Sequence, residues 1–289
     1  MSTPVGGSAP RTSLGALVHY GRECLGNRWK MLFSLGFALL FVPRVVAVFF
    51  FSRGASSYSE SVRGGALASG NLLTALSELA GEKLQSGMIF SGLAFLLVLL
   101  GSLAIAKACT DYFDEKPTSI ASAFITGART LATKGIGAGV MLVLILIPAS
   151  IMTLLRVIVL CLLIVLPLEM VAGRRGGVLS VVEVLRLGYV TAPGRSKWPI
   201  FSNIMTIGGL AMSFMFLVQM GLALGVDLDL SGSAGFAWLS WPLNLYGAQM
   251  SLGFLMAHLT EIFFDSVLIT CVMPFAAALR HTARENEGP

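Results

Sequence analysis

The stretch that decides the fold is residues 136–173, IGAGVMLVLILIPASIMTLLRVIVLCLLIVLPLEMVAG, with one cation, Arg156, and one anion, Glu169. A single helix of this length runs roughly 55 Å, against the ~30 Å of hydrocarbon a span must cross. Pro148-Ala149-Ser150 stands a third of the way in, and proline opens or kinks a helix. The block is therefore either a tight hairpin of two spans or one long kinked helix.

The flanking charges favour the hairpin. Other apolar blocks of membrane length are 31–51, interrupted by Pro43-Arg44, and 87–108, 200–224 and 247–279. A hairpin gives six spans with both termini on one side. That side then collects the cations from Arg11 to Lys30, from Lys107 to Lys134 and from Arg174 to Lys197, together with Arg280 and Arg284. The other side holds Arg53, Arg63 and Lys83, while Arg44 and Arg156 fall within spans. One long helix would carry the 174–197 group across. The positive-inside bias therefore predicts six spans with both termini cytoplasmic. The outer loop 225–246 carries Asp227 and Asp229 but no Lys or Arg, in agreement. Trp29 and Trp198 open spans one and five on the inner side, and Trp238, Trp241 and Tyr246 precede span six on the outer side. Such rings suit the headgroup level.

Composition agrees with this frame. Charged residues make up 12 % and hydrophobic ones 55 %, with a mean hydropathy of +0.82. Soluble domains carry about a quarter charged residues, so a soluble enzyme, a disulfide scaffold and a disordered tail are all excluded. The net charge of +5 comes from cations flanking apolar blocks, not from basic runs interleaved with aromatics, so no nucleic-acid partner is expected. Cys24, Cys109, Cys161 and Cys271 are scattered, with no CxxC, as free thiols are. The first apolar block begins late and is long, which reads as an uncleaved anchor and not a signal peptide.

The fold expected is all-α: a polytopic membrane bundle of six transmembrane helices, forming one integral membrane domain over 1–289. Residues 1–28 form a cytoplasmic segment with an interfacial helix, 52–86 an outer loop with an amphipathic helix at 71–84, and 280–289 a cytoplasmic tail. Segments 12–27, 118–133 and 177–190 each place apolar residues at helical spacing before a basic residue and a span. They read as three cytoplasmic amphipathic helices of one repeated unit, interfacial helix and then a pair of spans.

Ionisable residues inside spans are costly and so mark candidate sites. His258, Glu261 and Asp265 fall within roughly 60° of one another on span six. Counted along the helices, Asp265 and Arg44 both come out about 22 Å deep, Arg156 about 25 Å and Glu261 about 28 Å. Two cations thus face two anions at matching depth. In a structural reading, Arg44 pairs with Asp265 and Arg156 with Glu261, tying the bundle together. In a functional one, the His-Glu-Asp stripe is a polar pathway for protons, ions or a lipid headgroup. One His and two carboxylates on one helix are a weak metal signal, and no metal or cofactor is expected. No HExxH, GxxxxGK[ST] or GxSxG motif occurs, so no enzymatic activity is indicated.

Residues 166–200, LPLEMVAGRRGGVLSVVEVLRLGYVTAPGRSKWPI, resemble a bacterial family that includes YciC-like inner-membrane proteins and the membrane domain of some glycerophosphoryl diester phosphodiesterases. Pro167, Glu169, Gly176, Gly177, Leu185, Arg186, Lys197 and Trp198 occupy the places of its span-ending Pro and Glu, Gly-rich turn, Leu-Arg pair and Lys/Arg-Trp span start. Gly188 stands near a place where the family often has Ser. The resemblance implies a six-span protein of the bacterial inner membrane and no settled activity.

The functional expectation is a non-enzymatic inner-membrane scaffold or accessory subunit. Its basic cytoplasmic face would act on anionic lipid headgroups or a protein partner, which includes a second copy of the chain. The alternative is a secondary transporter or lipid-translocating protein using the His258, Glu261 and Asp265 stripe.

Overall fold

The computed structural model describes residues 14–48, 82–151, 164–173, 176–189, 198–226 and 252–287. These are mostly helical, with no strand among them. The helices are α1 (Leu14–Leu35), α2 (Glu82–Phe113), α3 (Ile120–Ile151), α4 (Leu166–Ala172), α5 (Gly177–Tyr189), α6 (Trp198–Val226) and α7 (Leu252–Glu287). After α1 the chain makes a π-helical turn, Gly36–Phe41, and stays helical to Val48. Among the described residues, five segments are long and apolar enough to cross a membrane: Leu14–Val48, Gly92–Phe113, Ile120–Ile145, Ser202–Gly221 and His258–Thr282.

Two expected boundaries are absent. α1 runs unbroken through Gly26-Asn27-Arg28-Trp29-Lys30, so the described part of the segment 12–27, from Leu14 on, and the start of the first apolar block share one helix. α3 likewise continues from Ile120 across 133–136 into the apolar run. Neither join contains proline, and a lone glycine costs only about 1 kcal/mol inside a helix, too little to stop one supported by packing. Within the segment 177–190, Gly177–Tyr189 form α5, and residues 190–197, which join it to α6, lie outside the described residues. α3 also passes Pro148 and is described as far as Ile151. Residues 152–163, which hold Arg156 and most of the second half of the expected hairpin, lie outside the described residues, as do residues 49–81 with most of the expected outer helix.

The turn between α2 and α3 shows how local sequence sets a boundary. Glu115 adopts φ 55°, and the Lys116 N–H donates to Asp111 O at 2.8 Å. This is the six-to-one bond of a Schellman motif with Glu in the place usually held by glycine. Pro117 follows, and α3 opens with a reciprocal cap. Ser119 Oγ accepts from the Ser122 N–H at 3.1 Å, and Ser122 Oγ accepts from the Ser119 N–H at 3.2 Å, the logic of a capping box.

The chain divides into two compact units. The first draws on Met1–Gly36, Leu100–Phe214 and Val267–Pro289. Its core holds Leu17, Cys24 and Leu32 of α1, Ile105 and Cys109 of α2, Leu168 of α4, Val181 and Val184 of α5, and the small run Ala276–Ala277–Ala278 of α7. α3, α4 and α5 pack on one another. Gly21 of α1 faces the Phe275 ring so closely that a Cβ would collide with it. The second unit draws on Phe37–Leu99 and Met215–Ser266, and buries Leu39, Leu40, Ala47, Val48, Ala94 and Ile262.

Candidate functional site

The second unit contains four of the polar candidates, Arg44, His258, Glu261 and Asp265. Arg44 lies beyond the π-turn, and its guanidinium is ion-paired with the Asp265 carboxylate of α7, both side chains being mostly buried. A π-turn winds in one extra residue and so rotates the residues after it by about 100° relative to an uninterrupted α-helix. Leu39 and Leu40 consequently both face inward, and Arg44, one turn after Leu40, shares that inward side. Three aromatic rings of the same unit meet one another. Phe41 stacks on Phe37 with centroids 5.2 Å apart and meets Phe263 edge-on at 5.9 Å.

Nearer the start of α7, Glu261 is held on two sides. Gln219 Nε2 of α6 donates to Oε1 at 2.9 Å, and His258 Nδ1 lies 3.3 Å from Oε2. Gln219 is not among the residues that the sequence reading singles out, although it carries a signal: it is the only amide or charge between 204 and 226 of the apolar α6. Arg156, expected opposite Glu261, lies outside the described residues.

The first unit places the remaining candidates. Pro167 sits in the first turn of α4, where its missing N–H costs nothing. Glu169 follows and is buried, with its Oε1 accepting from Arg280 Nε at 2.5 Å. The sequence reading puts Arg280 at the solvated membrane edge, yet only 7 % of its side chain is exposed. Lys134 Nζ caps the end of α4 by donating to Met170 O at 2.6 Å and Gly173 O at 2.5 Å, the favoured place for a cation. Arg186 is exposed in the last turn of α5. Lys197 lies outside the described residues, and Trp198 is the first residue of α6.

Around the α2–α3 turn, other cations are engaged. Arg28 of α1 donates to Thr118 O and Lys116 O, both at 3.3 Å, and Asn27 Nδ2 donates to Tyr112 OH at 2.9 Å. The buried Asp111 accepts from Lys107 Nζ at 2.6 Å and Thr118 Oγ1 at 2.5 Å. Lys116 Nζ donates to Asp114 at 2.8 Å, and that carboxylate raises the pKa of the ammonium above its ordinary value. Of the first unit's acids, Asp111, Asp114 and Glu169 thus each carry a cation, while Arg22, Lys30, Arg129 and Arg186 present exposed charge.

Among the described residues no group of three or more His, Cys, Asp or Glu is arranged to hold a metal ion. A cavity of about 40 Å³ is lined by Thr110, Phe113, Asp114, Ala277, Arg280 and His281, none of them from the His258, Glu261 and Asp265 stripe. Comparison of the chain with protein-family models, curated proteins and solved structures finds no match.

Proposed function

We propose that the protein is a non-enzymatic, six-span scaffold or accessory subunit of a bacterial inner membrane. In this reading both termini are cytoplasmic and a basic face holds anionic lipid headgroups. The observation that carries it is the disposition of charge in the first unit. Asp111, Asp114 and Glu169 are engaged by Lys107, Lys116 and Arg280, and among the other described side chains of this unit the cations Arg22, Arg28, Lys30, Arg129, Lys134 and Arg186 outnumber the acids Glu23, Glu115 and Glu183, which leaves a basic excess. Each Lys or Arg near an anionic surface contributes on the order of 1 kcal/mol. The resemblance to the YciC-like family supports the same architecture.

The test is thermal melting of the full chain in mild detergent after delipidation, with phosphatidylglycerol or phosphatidylcholine added back at equal mole fraction. Phosphatidylglycerol is expected to raise the midpoint by several degrees more, and the difference to shrink in high salt. Equal shifts from the two lipids overturn the reading.

A second reading, proton-coupled transport, draws on the Gln219–Glu261–His258 contacts between two apolar helices. Proteoliposomes loaded with a pH dye test it: a proton leak abolished by E261Q supports transport, and a rate equal to empty vesicles rejects it.

A further inference from the structure

α5 is apolar on two opposite sides. At about 100° per residue, Gly177, Ser180, Val181 and Val184 share one side, and Val178, Leu179, Val182 and Arg186 share the other. The first side is packed: Val181 is 0 % and Val184 1 % exposed. It lies on α3, where Gly177 meets the backbone at Lys134 and Ala138. The second side is open, with Leu179 50 % and Val182 43 % exposed and Arg186 exposed among them; Val178, at its margin, is 42 % exposed while also lying close to Gly137 of α3.

Something apolar must cover that open side, and three observations select what. At 13 residues, α5 is about 20 Å long and cannot cross ~30 Å of hydrocarbon. It contacts α3 at Lys134–Ala138, where the last cation of that helix gives way to an uncharged run reaching Ile151, which is where headgroups meet acyl chains. Ile136 and Val140 of α3, beside the contact, are also exposed, so the apolar surface continues from one helix to the other. Arg186 on the same side is placed to reach a phosphate while its stem lies along the apolar patch.

We infer that α5 lies in the plane of one leaflet, with Val178, Leu179 and Val182 on lipid acyl chains and Arg186 on a lipid phosphate. This rests on the reading of the chain as a membrane protein with a lipid-binding basic face, and it names the helix that enters the lipid.

Spin labels at single cysteines 178, 181 and 182, in a background lacking the native cysteines and reconstituted in phosphatidylglycerol-containing vesicles, test it. Labels on V178C and V182C are expected to be several-fold more accessible to oxygen than to a water-soluble nickel chelate. A label on V181C is expected to be shielded from both. Preference for the chelate at 182 places that side in water and overturns the inference. Shielding from both reagents at 182 shows a protein cover and also overturns it. A bilayer-dissolved diazirine, photolysed with the wild-type chain, needs no variant: carbene adducts within 177–186 support the inference, and their absence rejects it. The lipid-dependent melting test is separate, so the basic-face reading fails there without altering the labelling of α5, and the converse holds.

Discussion

Arg280 Nε and Glu169 Oε1 meet at 2.5 Å across 111 positions of sequence, with 7 % and 6 % of their side chains exposed. The pair fastens the last membrane-length helix to the short α4. Removing one partner takes the directly paired charge from a buried group, which costs up to about 3–5 kcal/mol. E169Q and R280Q are each expected to lower the unfolding free energy by that order in denaturant titration of the detergent-solubilised chain. The double variant is expected to lose less than the two singles combined, because both charges are then gone. Additive losses would show that the contact carries no coupling.

Glu115 offers a change in the opposite direction. Its φ of 55° costs a residue with a Cβ about 1–2 kcal/mol, and glycine relieves that strain while giving up some unfolded-state entropy. E115G is expected to stabilise the protein by roughly 1 kcal/mol, seen as a higher melting midpoint. A drop in midpoint would mean that the side chain of Glu115 makes a contact worth more than the strain.

Gly177 sets two opposing effects against each other. Alanine in a helix gains up to about 1 kcal/mol in propensity. A Cβ at 177, however, meets the backbone of Lys134 and Ala138, not a side chain that can turn aside, and such overpacking costs about 1–3 kcal/mol. The steric term is the larger, so G177A is expected to destabilise and to speed proteolysis around α5. Unchanged proteolysis with a raised midpoint would show that the helices separate at little cost.

The legible part of this chain is what length and hydropathy dictate. The blocks containing 31–48, 92–108, 202–221 and 258–279 coincide with described helices of membrane length, because a single continuous apolar block can satisfy its own backbone in hydrocarbon only as a helix, the alternative being a closed barrel of alternating strands. Arg44 and Asp265 stand out because charge in such a block is rare. Sequence does not reveal where helices end. Continuity through Gly26 and through Gly135 depends on tertiary support that local propensity does not encode. The burial of Arg280 escapes a sequence reading for a related reason: it comes from Glu169, which is remote along the chain. The stripe Leu179, Val182, Leu185 and Tyr189 is legible as one amphipathic face, but the packed side of α5 instead centres on Val181 and Val184. Periodicity alone does not say which of two apolar sides meets protein.

The Arg44–Asp265 pair depends on the π-turn before it as well as on its two side chains. The extra residue in Gly36–Phe41 sets the direction of Arg44 by about 100°, so pairing should be lost by shortening the turn as surely as by removing the charge. Deleting the exposed Ala38 restores α-helical winding without taking a core side chain. R44L, D265N and the Ala38 deletion are each expected to cut the yield of monodisperse protein and to cost a few kcal/mol, the order found when one member of a buried pair is stranded. The exchange R44D/D265R is expected to recover part of that loss, since the charges still meet across the same gap. If the deletion acts by turning Arg44 away, adding R44L to it costs little more, and size-exclusion yield and denaturant midpoint should match those of the deletion alone. A full additional loss from R44L in the shortened chain would show that Arg44 still reaches Asp265 and that the π-turn does not aim it.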